Sequence, residues 1–163
     1  MAQAIQAYIG LGSNLENPRE QVMRAAQEID AIDGVRLIQQ SRWYQSKAVG
    51  PGVQPDYING VVLIETHLDA HALLDQLQRI EQEHERVRKI HWGPRTLDLD
   101  LLLFADHTIQ TDRLTVPHAY LTERNFVLYP LADIAKDLVL PSGEALESLL
   151  AHCSNDGLHP IQD

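Results

Sequence analysis

The sequence contains a single cysteine, Cys153, among its 163 residues, so the chain has no internal disulfide to form. Disulfides belong to oxidising compartments, and their absence favours a reducing one. No apolar stretch reaches the ~20 residues that a membrane-spanning helix needs, and the first residues lack the basic and then apolar pattern of a secretion signal. We therefore expect a cytoplasmic protein without a membrane partner.

Basic residues are also in the minority. The 13 lysines and arginines stand against 23 aspartates and glutamates, which gives a net charge of −10. Proteins that coat nucleic acids need clustered positive charge, so we expect no nucleic-acid partner. The basic residues are nevertheless concentrated within residues 79–95, and Arg113 and Arg124 follow. This concentration indicates a site for a small phosphate compound, with a solvated basic helix end as the alternative.

The common glycine-rich phosphate motifs are missing. Gly10 and Gly12 begin such a pattern, but Leu15 stands where a dinucleotide-binding motif needs its third glycine, and no P-loop sequence occurs. We interpret the two glycines as turn residues that let Ser13 and Asn14 approach a neighbouring site. The histidines and the one cysteine also lack the spacing of a zinc site.

The most informative stretch is Trp92–Phe104, which reads WGPRTLDLDLLLF. Its alternation predicts a strand, whose successive side chains face opposite sides, so Asp98 and Asp100 share one face roughly 6–7 Å apart. The predicted core face carries Leu97, Leu99, Leu101 and Leu103. Paired carboxylates repel each other unless a cation lies between them, and such oxygens suit a hydrated Mg²⁺ completed by substrate phosphates. Two acids on an exposed strand are the alternative, which the upstream Trp, Arg and Gly-Pro turn make less favoured.

Periodicity predicts alternating strands and helices along the rest of the chain. Further strands are predicted at 4–11, 35–45 and 57–65, an edge strand at 108–110, a Gly/Pro-rich loop at 47–55, and helices after residues 17 and 69 and over 121–135 and 146–150. This order favours a ferredoxin-like α+β sandwich: one antiparallel sheet with helices on one face, in a single domain spanning residues 1–163.

Helix signals are clear at two places. Asn17, Pro18 and Glu20 are typical of a capped helix start. The apolar stripe predicted for this helix is Val22, Met23, Ala26 and Ile29. Asp69 is predicted to cap the second long helix. The stripe of that helix is Leu73, Leu74, Leu77 and Ile80.

Single residues add candidates by type alone. Glu81 interrupts the apolar stripe of the second helix, so its carboxylate is predicted to point along the buried side; a solvated boundary position at the helix end is the alternative. Trp92 lies in a Gly-Pro turn among arginines, which favours stacking of a planar ligand on its ring; packing in the core is the alternative. Tyr57 and Asn59 share a strand face that suits a flat heterocycle with amide-like edges, although such pairs are common in sheets. His118 is a candidate phosphate contact, although a lone loop histidine is more often structural.

Six segments carry a resemblance to a known family. They are GSNL at 12–15, QPDYIN at 54–59, QRIE at 78–81, RVR at 86–88, the block 92–100 and RLTVPH at 113–118. Together they resemble 6-hydroxymethyl-7,8-dihydropterin pyrophosphokinases, folate-pathway enzymes that transfer pyrophosphate from ATP to a pterin alcohol. The most specific element is His91–Arg95 followed by Asp98 and Asp100. The chain departs from the frequent family residues at Lys47, His91, Ala119 and Asn125.

The resemblance implies roles for individual residues. Asp98 and Asp100 would hold two Mg²⁺ ions and act in catalysis with Arg86 and Arg95. The ATP-binding set implied by the resemblance is Gln78, Glu81, Arg88, Trp92, Arg95, Leu101, Arg113, Thr115, His118 and Arg124. The implied pterin-binding set is Ser46, Val49, Tyr57, Asn59, Trp92 and Phe126.

The implied reaction is attack of the pterin hydroxymethyl oxygen on the β-phosphorus of ATP, with AMP as the leaving group. Such transfers depend on positioning and charge neutralisation. We expect a monomer in which residues 47–55 and 84–94 act as lids. The alternatives from other classes are a Mg²⁺-dependent phosphohydrolase that uses the same two aspartates and a non-catalytic pterin- or nucleotide-binding module.

Overall fold

A computed structural model describes residues 4–14, 17–46, 57–86 and 97–161 of the chain. Its elements are β1 (Ile5–Ser13), α1 (Pro18–Asp30), β2 (Val35–Gln40), β3 (Tyr44–Ser46), β4 (Tyr57–Thr66), α2 (Ala70–Arg86), β5 (Leu97–Phe104), β6 (Ile109–Gln110), β7 (Thr115–Val116), α3 (Asn125–Ala135), α4 (Leu146–Ala151) and β8 (Leu158–Pro160). Within the described part, no helix combines the length and apolar character that crossing a membrane requires.

The main sheet has the strand order β5-β1-β4-β3-β8, with β2 also paired to β4. All of these pairs are antiparallel. The first strand of the chain therefore lies between the last long strand and β4, with the helices α1 and α2 as the two crossover connections. The predicted ferredoxin-like α+β fold is confirmed.

Helices pack on both faces of this sheet, so the prediction that they cover one face is wrong. On the first face α1 and α2 bury the larger core, which includes Ile9, Ile64 and Leu73. On the second face α3 and α4 pack over a smaller core around Val61 and Leu128. The second face is covered because the chain after β5 contains a further apolar helix, α3, which must also bury its apolar residues.

A β-bulge at the end of β5 changes the face to which its leucines point. Tyr8 pairs with Leu103 and Ile9 with Leu101, so Leu102 is the extra residue. Leu97, Leu99 and Leu101 lie in the first core as predicted. Leu103 belongs instead to the second core, which corrects its predicted place.

The predictions for the ends and apolar stripes of α1 and α2 are confirmed in part. Helix α1 begins at Pro18 as predicted, but Asn17 has a φ of 53° and its side chain makes no capping hydrogen bond. Met23 is 43% exposed, and Ala25 takes its place in the buried stripe. Asp69 caps α2 as predicted, since its Oδ1 accepts a hydrogen bond from the backbone of Ala72 at 2.8 Å.

The strand predicted at 35–45 is two strands, β2 and β3, separated by residues 41–43. Ser41 lies in this break, where its Oγ accepts a hydrogen bond from the Val61 backbone N–H at 2.9 Å. The edge strand predicted at 108–110 exists as β6, but it pairs with β7 in a separate two-stranded sheet. Both differences arise from tertiary hydrogen bonds that local alternation does not report.

Trp43 packs directly against the backbone of Gly60, where a Cβ would lie 2.5 Å from two ring carbons. We expect Gly60→Ala to lower the free energy of unfolding by about 1–3 kcal/mol, because overpacking a rigid core displaces side chains or backbone. Chemical denaturation measures this loss. In Trp43→Leu, which removes the ring, the same glycine substitution should cost less. Equal stability of Gly60→Ala and the unsubstituted protein would contradict the contact.

Candidate functional site

The two aspartates of β5 lie on the second face of the sheet, beyond the part that α3 and α4 cover. Asp100 is opposite Gly10 and Asp98 is opposite Gly12 in the antiparallel register with β1. The two glycines are strand residues, so their interpretation as turn residues is wrong. Because neither carries a side chain, the sheet surface beside the carboxylates stays open.

Gly12 also leaves room for Asn59 on the neighbouring strand β4. A Cβ at Gly12 would lie 2.7 Å from the Asn59 Nδ2 atom. Asn59 is buried, and its Oδ1 accepts a hydrogen bond from the Ser46 hydroxyl at 2.7 Å. The amide is therefore held in one orientation, with its nitrogen over Gly12.

A cavity of about 350 Å³ occupies this open half of the second face. The residues that line it are Gly10, Leu11, Gly12, Ser46, Tyr57, Asn59, Gly60, Asp98, Asp100, Arg124, Phe126 and Val127. Four residues of the predicted pterin-binding set are thus brought together with both predicted metal ligands. Helix α3 forms one wall, since Phe126 and Val127 belong to its first turn.

A second depression, of about 250 Å³, lies beside the first one. Its lining includes Asp100, Leu101, Arg113, Thr115 and His118. Asp100 lines both the cavity and this depression. The structure therefore groups four members of the predicted ATP-binding set next to one predicted metal ligand.

Two basic side chains, His118 and Arg124, lie next to Asp100. The His118 Nε2 atom lies 3.9 Å from the Asp100 Oδ2 atom, and the His118 backbone N–H is fixed by a 3.0 Å hydrogen bond to the Leu102 carbonyl. Burial raises the pKa of Asp100, and the charges of His118 and Arg124 offset part of that rise.

Glu81 points from α2 toward β5, as its place in the apolar stripe of α2 predicts. Its Oε2 accepts a hydrogen bond from the Leu99 backbone N–H at 2.8 Å. Desolvation by burial is the main reason that the pKa of Glu81 rises to about 7, and the charges of Asp98 and Asp100 raise it further. The hydrogen bond from Leu99 acts in the opposite direction.

Gln78 and Arg113, two further members of the predicted ATP-binding set, contact each other. The Arg113 Nη2 atom donates to Gln78 Oε1 at 3.2 Å and to Asp75 Oδ1 at 2.5 Å. Gln78 and Glu81 line a third depression that also reaches Asp98. Both depressions on the α2 side therefore meet the aspartates of β5.

The donor set fits a hydrated magnesium ion. Among the described residues, no group of three or more His, Cys, Asp or Glu side chains converges on one point as a metal cage. Mg²⁺ does not need such a cage, because it keeps several waters and takes one or two carboxylates together with substrate phosphates. Asp98 and Asp100 beside open space meet that requirement.

Several predicted site residues lie outside the described residues. These are Val49, Arg88, Trp92 and Arg95, and the side chain of Arg86 is not described either. The lid predicted at 47–55 and most of the one at 84–94 also fall there. His84 does not belong to a loop: it is buried in α2, with Nδ1 2.6 Å from Gln21 Oε1 and Nε2 in contact with Glu28.

Sequence reasoning missed the part that the two glycines of β1 play as the floor of the cavity. The available signal was their spacing, since glycines two apart on a strand leave one face without side chains.

The departure from the frequent family residue at Asn125 has a structural explanation. Its Nδ2 donates to the carbonyls of Ser154 and Asp156 at 3.0 and 3.1 Å, which ties the start of α3 to the chain before β8.

Paired carboxylates, basic side chains and adjoining depressions are features of enzymes that transfer phosphate groups between a nucleotide and a second small molecule. Residues 8–136 match the family model described as 7,8-dihydro-6-hydroxymethylpterin-pyrophosphokinase. The chain belongs to this family.

Two curated relatives agree with the family match. A protein of Pseudomonas aeruginosa is 48% identical over 156 residues, which covers 96% of each chain. A protein of Haemophilus influenzae is 50% identical over 146 residues, covering 90% of this chain and 91% of its own. Both are named 2-amino-4-hydroxy-6-hydroxymethyldihydropteridine pyrophosphokinase.

The fold also matches a solved structure of Plasmodium falciparum HPPK-DHPS, wild type with pterin and p-hydroxybenzoate, with a TM-score of 0.71. The match covers 93% of this chain and 43% of that one. At 14% identity this likeness concerns the fold alone.

The raised pKa of Glu81 predicts a pH-dependent stability. A carboxyl whose pKa rises from 4.5 unfolded to about 7 folded stabilises the fold below pH 4.5, and this contribution is lost as the pH rises to 7. We therefore expect the Tm of Glu81→Gln, minus the Tm of the unsubstituted protein, to increase as the pH rises from 5 to 8 in the absence of metal and nucleotide. The variant keeps an oxygen that accepts the Leu99 N–H. Exposed Glu147 of α4 provides the control, as Glu147→Gln. A Tm difference for Glu81→Gln that does not change with pH would refute the assignment.

Proposed function

We propose that this chain transfers the pyrophosphoryl group of ATP to the hydroxymethyl group of 6-hydroxymethyl-7,8-dihydropterin, giving AMP and the pterin diphosphate in folate biosynthesis. Membership of the pyrophosphokinase family supports this function. The observation that carries it is the position of Asp100, which lines both the 350 Å³ cavity and the adjoining depression. Two substrates that occupied these spaces would meet at the aspartates of β5.

The cavity is the proposed pterin site. Its volume lies within the range of small-molecule pockets, and its walls combine apolar surface with polar and charged side chains. Phe126 and Tyr57 offer aromatic surface to a flat bicyclic ring. Asn59, oriented by Ser46, offers an amide to the amide-like edge of the heterocycle. We include Val49 and Trp92 in this site on the resemblance to the family.

The nucleotide is proposed to bind on the α2 side of β5. His118, Arg113 and Thr115 line the depression next to Asp100 and would contact the triphosphate, with Leu101 beside them. Gln78 and Glu81 lie further along the same side of β5. The proposed set also contains Arg86, Arg88, Trp92, Arg95 and Arg124.

Asp98 and Asp100 are the proposed ligands of Mg²⁺, of which the family pattern implies two ions. The metal would neutralise phosphate charge and lower the pKa of the attacking alcohol. Arg124 and His118 would add positive charge where the bridging phosphates lie. Strand β5 positions the two aspartates, and such positioning supplies much of the catalysis in phosphoryl transfer.

We also propose that residues 1–163 form one domain that works as a monomer in the cytoplasm. A single sheet that carries both cores supports the single domain. The need for ATP supports the cytoplasm. Sedimentation at micromolar concentration would give the mass of one chain, 18.4 kDa, if the monomer is correct.

Product analysis tests the proposed function. The protein is incubated with ATP, Mg²⁺ and the pterin alcohol, and the products are separated by chromatography. Equal amounts of AMP and pterin diphosphate support the pyrophosphokinase. Release of free phosphate without modified pterin would indicate a phosphohydrolase, and unchanged substrates would indicate a binding module.

The paired aspartates should be essential for turnover and dispensable for folding. We expect Asp98→Asn and Asp100→Asn each to lower kcat by at least about a hundredfold, because each removes a metal ligand and its charge. The Tm should not fall, because each change relieves repulsion between neighbouring carboxylates. Asp106→Asn, an exposed acid just after β5, is the matched control. Near-normal kcat of either variant at saturating Mg²⁺ would disprove the metal assignment.

Asn59 should contribute to binding of the pterin but little to binding of ATP. We expect Asn59→Ala to weaken pterin affinity by about tenfold, since a lost hydrogen bond of ~1.5 kcal/mol corresponds to that factor. Isothermal titration calorimetry with each substrate measures the two affinities. Asn155→Ala provides the control, because Asn155 is an exposed asparagine that lines neither the cavity nor the adjoining depression. An equal loss of affinity for both substrates would count against the pterin site.

A further inference from the structure

Tyr120 is 51% exposed and lies between two basic residues of the site. The centre of its ring lies 4.8 Å from the Arg124 Cζ atom and 6.2 Å from the centre of the His118 ring. Its backbone N–H also donates to His118 Nδ1 at 3.3 Å. A residue that contributes so little to the core nevertheless contacts both basic side chains that lie beside Asp100.

Arg124 contacts two aromatic rings. Its Cζ atom lies 5.5 Å from the centre of the Phe126 ring, in addition to the 4.8 Å that separates it from the ring of Tyr120. An aromatic face attracts a guanidinium through its quadrupole, and two rings also limit the directions in which a long side chain extends.

Arg124 and its two aromatic neighbours lie where the cavity meets the adjoining depression. Arg124 and Phe126 line the cavity, whereas Tyr120 lines the depression on the α2 side, and Asp100 lines both. The guanidinium is therefore held where a phosphate chain that ran from one space to the other would pass. A charge that is oriented before the substrates bind does not have to be ordered during the reaction.

We propose that Tyr120 is a positioning residue that, together with Phe126, holds the Arg124 guanidinium beside Asp100 for the phosphates. This inference rests on the proposed pyrophosphoryl transfer. Tyr120 itself acts through Arg124 and not by contact with either substrate.

The first test compares Tyr120→Leu with Tyr120→Phe. Leucine removes the aromatic face, so kcat should fall about three- to tenfold, the range that corresponds to a cation–π interaction. The KM for the pterin should stay within about twofold. Phenylalanine keeps the ring, so its kcat should match that of the unsubstituted protein. Because Tyr120 is half exposed, the Tm of both variants should change little, and equal losses of kcat in both variants would overturn the proposal.

A double-mutant cycle with Arg124→Ala separates positioning from direct contact. If Tyr120 acts through Arg124, Tyr120→Leu should lower kcat no further when Arg124→Ala is already present. The same three- to tenfold loss in both backgrounds would overturn the proposal, because it would show contact with substrate or a general structural effect.

The design also distinguishes failure of this inference from failure of the proposed function. If the unsubstituted protein forms no AMP and pterin diphosphate, the proposed function fails and this inference with it. If it forms both products and the cycle is additive, only the role of Tyr120 is wrong.

Val139→Ala provides the control for loss of an exposed apolar side chain, since Val139 is 58% exposed and lines neither the cavity nor the adjoining depression.

Discussion

The alternation of side chains along β5 is the constraint on which the site depends. Leu97, Leu99 and Leu101 are at most 3% exposed in the first core, so the two aspartates between them must face the other side of the sheet. A register slip of one residue would bury both carboxylates and expose the leucines. The hydrophobic effect that folds the strand therefore also orients the proposed metal ligands.

The second face of the sheet is covered only in part, and the uncovered part forms the cavity that we propose as the pterin site. The bulge after Leu101 gives α3 and α4 two leucines to pack against at one end of β5. At the other end, Gly10 and Gly12 present no side chains, and the first turn of α3 forms a wall and not a cover. Core and cavity are thus adjacent parts of one surface, and changes in the packing of α3 will alter the shape of the cavity.

Local sequence patterns predicted the features that depend on local periodicity. The strand repeat gives the shared face of Asp98 and Asp100, and the helix repeat gives the inward position of Glu81. The cap at Asp69 follows from the preference for aspartate directly before a helix. Patterns failed where distant elements decide the outcome: the bulge that redirects Leu103 is a feature of pairing with β1, and the burial of His84 requires contact with α1. The family resemblance named Ser46 and Phe126, which no periodicity links, and the structure brings both to one cavity.

A crystal structure of the protein with Mg²⁺, the pterin alcohol and a non-hydrolysable ATP analogue would show whether the two substrates meet at the aspartates of β5. We expect the pterin ring in the cavity beside Asn59 and Phe126, with the phosphates and metal at Asp98 and Asp100. Phosphates bound away from both carboxylates, or a pterin outside the cavity, would contradict this expectation.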